Sequence, residues 1–551
     1  TSSSSGATLN SRIEHAVLKP TPTLLFVLTA CFLSAWLSAY AEDPGTEGPA
    51  ITQSTVEKVC APAEEEMDKY RYLRALKLDL MGTVPTSAEY GALETIDDVP
   101  SETIDTMLAS DEFAQRAVRA HRKLLWNNVS NVLLLTARSR IRTSGGIYYA
   151  NANRAIAYRG ENLRCLDEEA EFSEDGEIIT KYEGGYQLDG WVEVNPYWAP
   201  DTTVKVCAFE AQTQTFSPSG TDCRTSVGGL DPGCGCGPNL VWCGTAASRE
   251  DIRESFGKDV DLRIADLIRN NRPYTELFTH AFAYVNGPIV HYWRHWVELT
   301  AGIRNAPLPI SLTLLPELSF DEIDTWVKVD LDPGHAGVLS SPGFLLRFQT
   351  NRGRASQFFT KFLCAPFQSP QAALSVDDET AQTEADLQKR DGCKYCHAVL
   401  EPAAAHWGRW AQQGAGYLNH EDFPPTRIEC LLCAQTGSTC SNDCRFFYTV
   451  SPASTQEEAF LGQLHAYSFL REEHLVNVDQ GPKLLALSGF ADNRLTTCAA
   501  SRVAEDLLGR QLFDEEGDWL EKLVIKFANT NYSYRELVRA VVTSSVYRRV
   551  R

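Results

Sequence analysis

The sequence predicts a mainly α-helical, multi-domain protein with a small disulfide-rich β insert. Apolar residues recur at spacings of three and four over much of the 551 residues, which is the period of an amphipathic helix. Between Cys165 and Cys243 the pattern changes to short β-branched and aromatic runs separated by Gly and Pro, which is typical of strands. Residues 393–397 then spell C-x-x-C-H, the pattern of c-type haem attachment. The predicted fold class is therefore mainly α, with a β insert and a c-type haem segment.

Length and charge narrow the class of protein further. A chain of this length exceeds a single hydrophobic core, so several domains are expected. Its content of 43 % hydrophobic and 22 % charged residues is typical of a globular protein. The formal net charge of −21 argues against nucleic acid as a partner, because binding to phosphates requires an excess of Lys and Arg.

Changes in periodicity and composition divide the chain into seven predicted parts. These are a signal peptide at 1–41, a polar linker at 42–62, an N-terminal helical domain at 63–160, a Cys-rich β insert at 161–247, a helical domain at 248–360, a haem c segment at 361–480 and a C-terminal helical domain at 481–551.

The N-terminal segment has the features of a secretory signal. A basic start and an apolar run over 24–36 precede Ala39 and Ala41, where small residues favour cleavage. Two alternatives remain open. Residues 28–31 also fit the box at which lipoproteins are cleaved and lipidated, here on Cys31, and an uncleaved apolar segment could anchor the chain in a membrane. All three predict export to the periplasm or the cell surface.

The helical domains are predicted from apolar periodicity. Leu73, Leu76 and Leu80 recur at helical spacing, and Gly82 can end that helix. Further helices are predicted at 103–108, 113–126, 248–295, 320–327, 344–364, 457–476, 496–512 and 515–549. Within the β insert, strands are predicted at 178–182, 186–188, 191–194 and 203–206.

Cysteine usage agrees with an oxidising compartment. Removing Cys31, Cys393 and Cys396 from the 16 cysteines leaves 13, and we expect most of these to form disulfides. The odd count leaves at least one thiol free or shared with another chain. Cys430, Cys433, Cys440 and Cys444 could instead hold a zinc ion, but their close spacing favours disulfide loops.

The C-x-x-C-H motif carries the main chemical prediction. The thiols of Cys393 and Cys396 can each add to one vinyl group of a single haem, and His397 can then ligate the iron from the proximal side. One alternative is a local disulfide between the two cysteines, with no role for His397. A redox or zinc C-x-x-C is another alternative.

The sixth iron ligand is less clearly predicted. The three methionines lie far before the motif, so histidine is the better candidate, and an open or water-bound site remains an alternative. His406 and His420 are nearest in sequence, and Pro402 is expected to break the helix so that His406 can fold back over the iron. The His291 and His295 pair could bind a metal, but a packed aromatic helix is favoured. His465 and His474 are expected at the surface.

Four stretches of this chain resemble a known family. They are Arg74–Thr86, Asn271–Thr279 with Tyr284–Gly287, Gly337–Arg354 and Tyr534–Ser544. In this order they resemble the large exported proteins of planctomycetes and myxobacteria, built from consecutive domains of unknown function around a cytochrome c motif. The resemblance implies a mainly helical, haem-binding protein, with Cys393 and Cys396 as attachment residues and His397 as iron ligand. The family usually has Asp-Pro after the motif, whereas this chain has Glu401-Pro402.

These observations leave three functional hypotheses. We favour an exported monohaem c-type cytochrome-like protein that transfers electrons to a redox partner of unknown identity. A haem peroxidase or oxidase is the second hypothesis, and a non-haem, disulfide-stabilised surface binding protein is the third. Neither a G-x-S-x-G nor an H-E-x-x-H motif is present, so the sequence leaves open whether the protein is an enzyme.

Overall fold

The computed structural model describes residues 65–129, 134–135, 139–150, 159–160, 163–299, 307–367, 386–452, 455, 457–465 and 471–549. The predicted signal peptide and linker, together with Cys31 and Cys60, lie outside these ranges. Residues 62–551 belong to one compact unit. Among the described residues, no helix has both the length and the apolar character that crossing a bilayer requires.

Helices predominate at both ends of the described chain. The N-terminal set is α1 (Lys69–Leu76), α2 (Ser87–Ala92), α3 (Ser101–Leu108) and α4 (Asp111–Leu125), and a π-helical turn at Lys77–Met81 extends α1. Gly82 ends that turn with a φ of 73°, in the left-handed region where glycine carries no steric cost. The helices predicted at 103–108 and 113–126 are confirmed, and they correspond to α3 and α4.

The strands of the described residues form one four-stranded sheet and two two-stranded antiparallel sheets. They are β1 (Ile141–Ser144), β2 (Ile147–Ala150), β3 (Lys181–Glu183), β4 (Tyr186–Leu188), β5 (Trp191–Val194), β6 (Val204–Cys207), β7 (Phe282–Val285) and β8 (Val327–Asp330). The sheet has the order β1-β2-β6-β5, with only the β2–β6 pair parallel. β3 pairs with β4, and β7 pairs with β8. The four predicted strands of the insert are confirmed as β3 to β6.

The rest of the chain is again largely helical. Its helices are α5 (Ala246–Arg269), α6 (Glu276–Thr279), α7 (Gly287–His291), α8 (Pro342–Arg347), α9 (Asn351–Phe362), α10 (Lys394–Ala405), α11 (Ile428–Thr436), α12 (Asn442–Phe447), α13 (Leu475–Ala491), α14 (Arg494–Leu508), α15 (Gly517–Asn529), α16 (Tyr534–Val542) and α17 (Ser545–Arg548). A second π-helical turn covers Tyr292–Trp296. The prediction at 496–512 is confirmed as α14.

Several predicted elements differ from the structure. The helix predicted at 320–327 is wrong, because Val327 begins β8, which pairs with β7. The single helix predicted at 515–549 is divided into α15, α16 and α17. The single helix predicted at 457–476 is wrong. Its described residues, 457–465 and 471–476, contain a 3-10 turn at Glu457–Phe460 and a second 3-10 turn at Glu472–His474, and α13 begins at Leu475. The protein is therefore mixed, with helices predominating, rather than helical with one β insert.

The two ends of the described chain share one hydrophobic core. A single buried cluster extends from Tyr72 in α1 to Tyr547 in α17. The Tyr72 hydroxyl donates a hydrogen bond of 3.0 Å to the Val542 carbonyl, and Glu66 forms an antiparallel bridge with Arg549. The segments predicted as N-terminal and C-terminal helical domains are therefore packed against each other.

Twelve described cysteines form six disulfides. The pairs are Cys165–Cys207, Cys223–Cys234, Cys236–Cys243, Cys364–Cys498, Cys430–Cys444 and Cys433–Cys440. The prediction of disulfide loops rather than a tetrathiolate zinc site at residues 430–444 is confirmed, because all four sulfurs are bonded to one another in pairs. Six disulfides are consistent with an oxidising compartment.

Candidate functional site

The C-x-x-C-H motif lies at the start of α10. Cys393 is the N-cap residue, and the His397 amide donates to its carbonyl at 3.0 Å. Positions i, i+3 and i+4 of a helix lie on one side, so Cys393, Cys396 and His397 project from the same side of the first turn. Both cysteines are half-buried, and neither belongs to one of the six disulfides of the described residues. The local disulfide considered from the sequence is not formed in this structure.

A buried carboxylate holds the His397 ring in one orientation. Nδ1 of His397 lies 2.5 Å from Oε1 of Glu401, one helical turn further on. The Glu401 side chain is completely buried, whereas that of His397 is 21 % exposed. Since a carboxylate only accepts, Nδ1 carries the proton, and Nε2 of the neutral ring has a lone pair. Histidines that ligate metals almost always donate their other ring N–H to such a partner.

Arg352 fixes the same carboxylate from the neighbouring helix. Its Nε donates to Oε1 of Glu401 at 2.7 Å, and α9, which carries Arg352, packs along α10. An ion pair with one fully buried partner is screened less by solvent than a surface pair. Glu401 is therefore the residue that connects the motif histidine to α9.

Arg354 anchors the chain that follows α10. Its guanidinium is completely buried and donates to the carbonyls of Phe348 (2.8 Å) and Ala411 (2.7 Å), and to Oδ1 of Asn351 at 2.9 Å. Burial without a carboxylate partner lowers the pKa of Arg354 to about 9. The Asn351–Arg354 stretch therefore supplies two arginines with different partners: Arg352 binds Glu401 of α10, and Arg354 binds the chain that follows α10.

His474 is buried, so the prediction that it lies at the surface is wrong. Its exposed fraction is only 1 %, and the 3-10 turn that contains it packs against α10. Desolvation lowers the pKa of His474, while the negative charges of Glu473, Glu401 and Asp386 raise it in part. Asp386 is itself bound by Arg471 at 2.7 Å. No local pattern around His474 signals this burial, because it results from the packing of α13 on α10.

His406 lies on the same helix as His397 but not beside it. Pro402 is contained within α10, so the predicted helix break is wrong. Nine residues at 1.5 Å and 100° per residue place the two imidazoles about 13 Å apart and on opposite sides. His406 is 5 % exposed, Nδ1 donates to the Gly481 carbonyl at 2.7 Å, and burial lowers its pKa to about 4. The structure does not bring His406 together with His397.

His420 has contacts at both ring nitrogens. Nε2 lies 3.0 Å from the Asp479 carbonyl and 3.2 Å from its Oδ1, and Nδ1 lies 3.4 Å from the Tyr417 hydroxyl. Its side chain is 44 % exposed. In this conformation His420 belongs to a surface hydrogen-bond cluster with Tyr417 and Asp479.

The other histidine pair is packed as expected. His291 stacks on Tyr197 with 3.8 Å between ring centroids and lies 4.9 Å from the ring of His295. Burial lowers the pKa of both imidazoles. The prediction of a packed aromatic helix at this pair is confirmed.

Two large side chains of α10 are exposed away from the motif. Tyr395 and Val399, one turn apart, are 63 % and 48 % exposed. At 100° per residue they project from roughly the opposite side of α10 to Cys393 and His397. The groups that suit covalent haem are therefore the two sulfurs of the motif and Nε2 of His397.

A comparison of this chain with protein families, curated proteins and solved structures finds no match. The family resemblance of the four stretches therefore remains a prediction from their residues.

Proposed function

We propose that this chain is an exported monohaem c-type cytochrome-like protein that transfers electrons. Cys393 and Cys396 would hold haem c through two thioether bonds, and Nε2 of His397 would ligate the iron from the proximal side. The observation that carries the proposal is the geometry of the motif. Cys393, Cys396 and His397 project from one side of the first turn of α10, and Glu401 holds the His397 ring through Nδ1.

The contacts of the motif assign a role to each residue around it. When bound, haem would supply a one-electron iron couple. Glu401 keeps the Nδ1 proton on His397 and thereby directs the Nε2 lone pair outward. Arg352 holds the Glu401 carboxylate in place. The half-buried position of Cys393 and Cys396 places the attachment residues near solvent, where a partner protein could approach.

Export and partner choice belong to the same proposal. The six disulfides support an oxidising location, and we propose the periplasm or the cell surface. With a net charge of −21, the chain would be attracted electrostatically to a basic redox partner, and high salt would weaken that attraction.

A pyridine haemochrome spectrum tests the attachment. The full chain is expressed with cytochrome c maturation machinery, and we expect an α band at the position of a haem with two thioether links. The Cys396→Ser variant should move this band toward that of a singly linked haem. A Cys433→Ser/Cys440→Ser control removes two cysteines outside the motif, which form a disulfide with each other, and should retain the wild-type band. Protein without covalent haem, or an unchanged band in Cys396→Ser, would contradict the proposal.

Ligand binding separates electron transfer from peroxidase or oxidase chemistry. A six-coordinate electron carrier should not bind carbon monoxide in its reduced form or react rapidly with hydrogen peroxide. Rapid binding of carbon monoxide together with peroxide turnover would favour the enzyme hypothesis.

A further inference from the structure

A cavity of about 310 Å³ lies at the far end of α9 from Arg352, between α4, α9, α14 and α16. This volume is at the lower end of the range of small-molecule sites. Lys361 and Phe362, at the end of α9, line it, about 13 Å along the helix from Arg352. The cavity is thus separate from the motif, and nothing in the proposed function uses it.

Most of the cavity wall is apolar. Phe113, Phe362, Leu495 and Val538 line it and are each no more than 4 % exposed. An apolar wall of this kind favours ligands with an aliphatic or aromatic body, because their burial removes apolar surface from water.

Two buried tyrosines supply neutral polar groups. His121 uses Nδ1 to donate to the Ala117 carbonyl at 2.7 Å, so its Nε2 accepts from the Tyr274 hydroxyl at 3.0 Å. The ring of Tyr534 stacks on that of Tyr274, with centroids 5.8 Å apart. The Tyr534 hydroxyl has no hydrogen-bond partner among the described residues. Burial raises the pKa of both phenols, so Tyr534 remains a donor.

Arg502 brings a cationic side chain to the cavity wall. One of its terminal nitrogens donates to the Thr360 carbonyl at 3.4 Å. Its Nε is buried and has no hydrogen-bond partner within the described part of the chain, so Nε faces the protein interior rather than the cavity. No carboxylate of the described residues pairs with this guanidinium, and its positive charge is therefore available to an anion in the cavity.

The charges around the cavity favour an anion. The lining includes four cationic side chains and three carboxylates, a local balance of 4 − 3 = +1 in a chain with a net charge of −21. Lys123 and Asp506 pair with each other at 2.6 Å, and the Lys123 side chain is 71 % exposed. Asp79 accepts from the Tyr547 hydroxyl at 2.7 Å. Arg502, Arg116 and Lys361 form no ion pair within the described residues, and Glu505 is the remaining carboxylate.

We propose that this cavity binds a small carboxylate with an apolar body, its carboxylate against Arg502 and Tyr534. A guanidinium matches the geometry of a carboxylate and can donate two parallel hydrogen bonds to it. The apolar body lies against Phe113, Phe362 and Leu495. This site is independent of haem, so neither proposal depends on the other.

Calorimetric titration of the purified full-length protein tests the site with octanoate as the probe. We expect saturable binding of octanoate and at least tenfold weaker binding of octanamide, which has a similar shape but no charge. Arg502→Gln should weaken octanoate binding at least tenfold. Ala499→Leu, which fills the cavity from α14, should weaken both probes. Arg494→Gln is the matched control, because Arg494 lies on the same helix but outside the cavity and should leave binding unchanged.

The titration also has outcomes that would overturn the proposal. Absence of octanoate binding to the wild-type protein would do so. Equal affinity for octanoate and octanamide would do so as well, since it would show a site without anion recognition. Should Arg502→Gln fail to fold, the comparison of the two probes on the wild-type protein and on Ala499→Leu still decides the question.

Discussion

His397 shows how one residue contact defines the chemistry of a motif. The C-x-x-C-H pattern specifies which imidazole is near the thiols, but it does not specify which ring nitrogen is available. Here the pairing with Glu401 at position i+4 assigns the proton to Nδ1. The sequence singled out this position only through the resemblance, in which an Asp usually precedes the Pro that follows the motif, whereas this chain has Glu401. The contact between Glu401 and Arg352 could not be predicted, because the two residues are separated by 49 positions in sequence and no local pattern connects them.

The Glu401→Gln variant measures the effect of this carboxylate. We expect the reduction potential of the haem-loaded protein to rise by about 40 mV. A charge-assisted hydrogen bond exceeds a neutral one by about 1 kcal/mol, and 59 mV corresponds to a tenfold change for one electron. The potential rises because the negative charge stabilises the oxidised iron. A spectroelectrochemical titration provides the measurement, and Glu429→Gln, at an exposed position on α11, is the control. An unchanged potential would show that Glu401 does not act on His397.

At the scale of elements, one disulfide determines how the motif segment is attached. The Cys364–Cys498 disulfide connects the residue two positions after the end of α9 with α14, across a sequence separation of 134 residues. The C-x-x-C-H motif at 393–397 lies within the loop that this disulfide closes. The disulfides of the β insert close much shorter loops, such as the 7-residue separation of Cys236–Cys243. The long disulfide thus restricts the unfolded chain more strongly than the short ones.

Removing these two disulfides should have unequal effects on stability. In the loop-entropy description, Cys364→Ser/Cys498→Ser should lower the free energy of unfolding by about 5 kcal/mol. The matched Cys236→Ser/Cys243→Ser variant should lower it by about 2 kcal/mol. Guanidinium denaturation of the three proteins under non-reducing conditions provides the comparison. Equal losses would show that native-state packing, rather than loop length, determines the contribution.

For the whole molecule, buried neutral histidines link stability to pH. His335 is 2 % exposed, its Nε2 lies 2.8 Å from the Pro309 carbonyl, and burial lowers its pKa to about 4. The pKa of His406 is lowered to a similar value by burial. In the unfolded chain a histidine titrates near 6.5. Between about pH 6.5 and pH 4 the unfolded chain therefore binds more protons than the native protein, and stability falls as the pH falls.

The free energy of unfolding should accordingly decrease between pH 7 and pH 4. Each of the two histidines can contribute up to about 3 kcal/mol to this decrease. Urea denaturation at several pH values should show a shallower pH dependence for His335→Gln than for the wild-type protein. The Ser340→Ala control removes a nearby buried hydroxyl that accepts from the Ala336 amide, so it should lower stability equally at all pH values. If the free energy of unfolding of His335→Gln depended on pH as strongly as that of the wild-type protein, the assignment of the pH dependence to His335 would be contradicted.

The sequence by itself determined the features that depend on local pattern. Short β-branched runs predicted β3 to β6, apolar periodicity predicted α3 and α4, and the motif spacing predicted that Cys393, Cys396 and His397 lie together. These predictions succeed because strand and helix preferences and i, i+4 spacing act over a few residues. The grouping of cysteines also predicted disulfides, although not which cysteines pair.

Only the tertiary structure decided the features that depend on distant partners. Val327 belongs to a strand because β7 pairs with it, and His474 is buried because α13 packs on α10. α10 continues through Pro402, which separates His406 from His397. The cavity beside Arg502 exists because residues from α4, α9, α14 and α16 meet there. In each case the stabilising contact joins residues that are far apart in sequence, and such a contact cannot be predicted from a local sequence pattern.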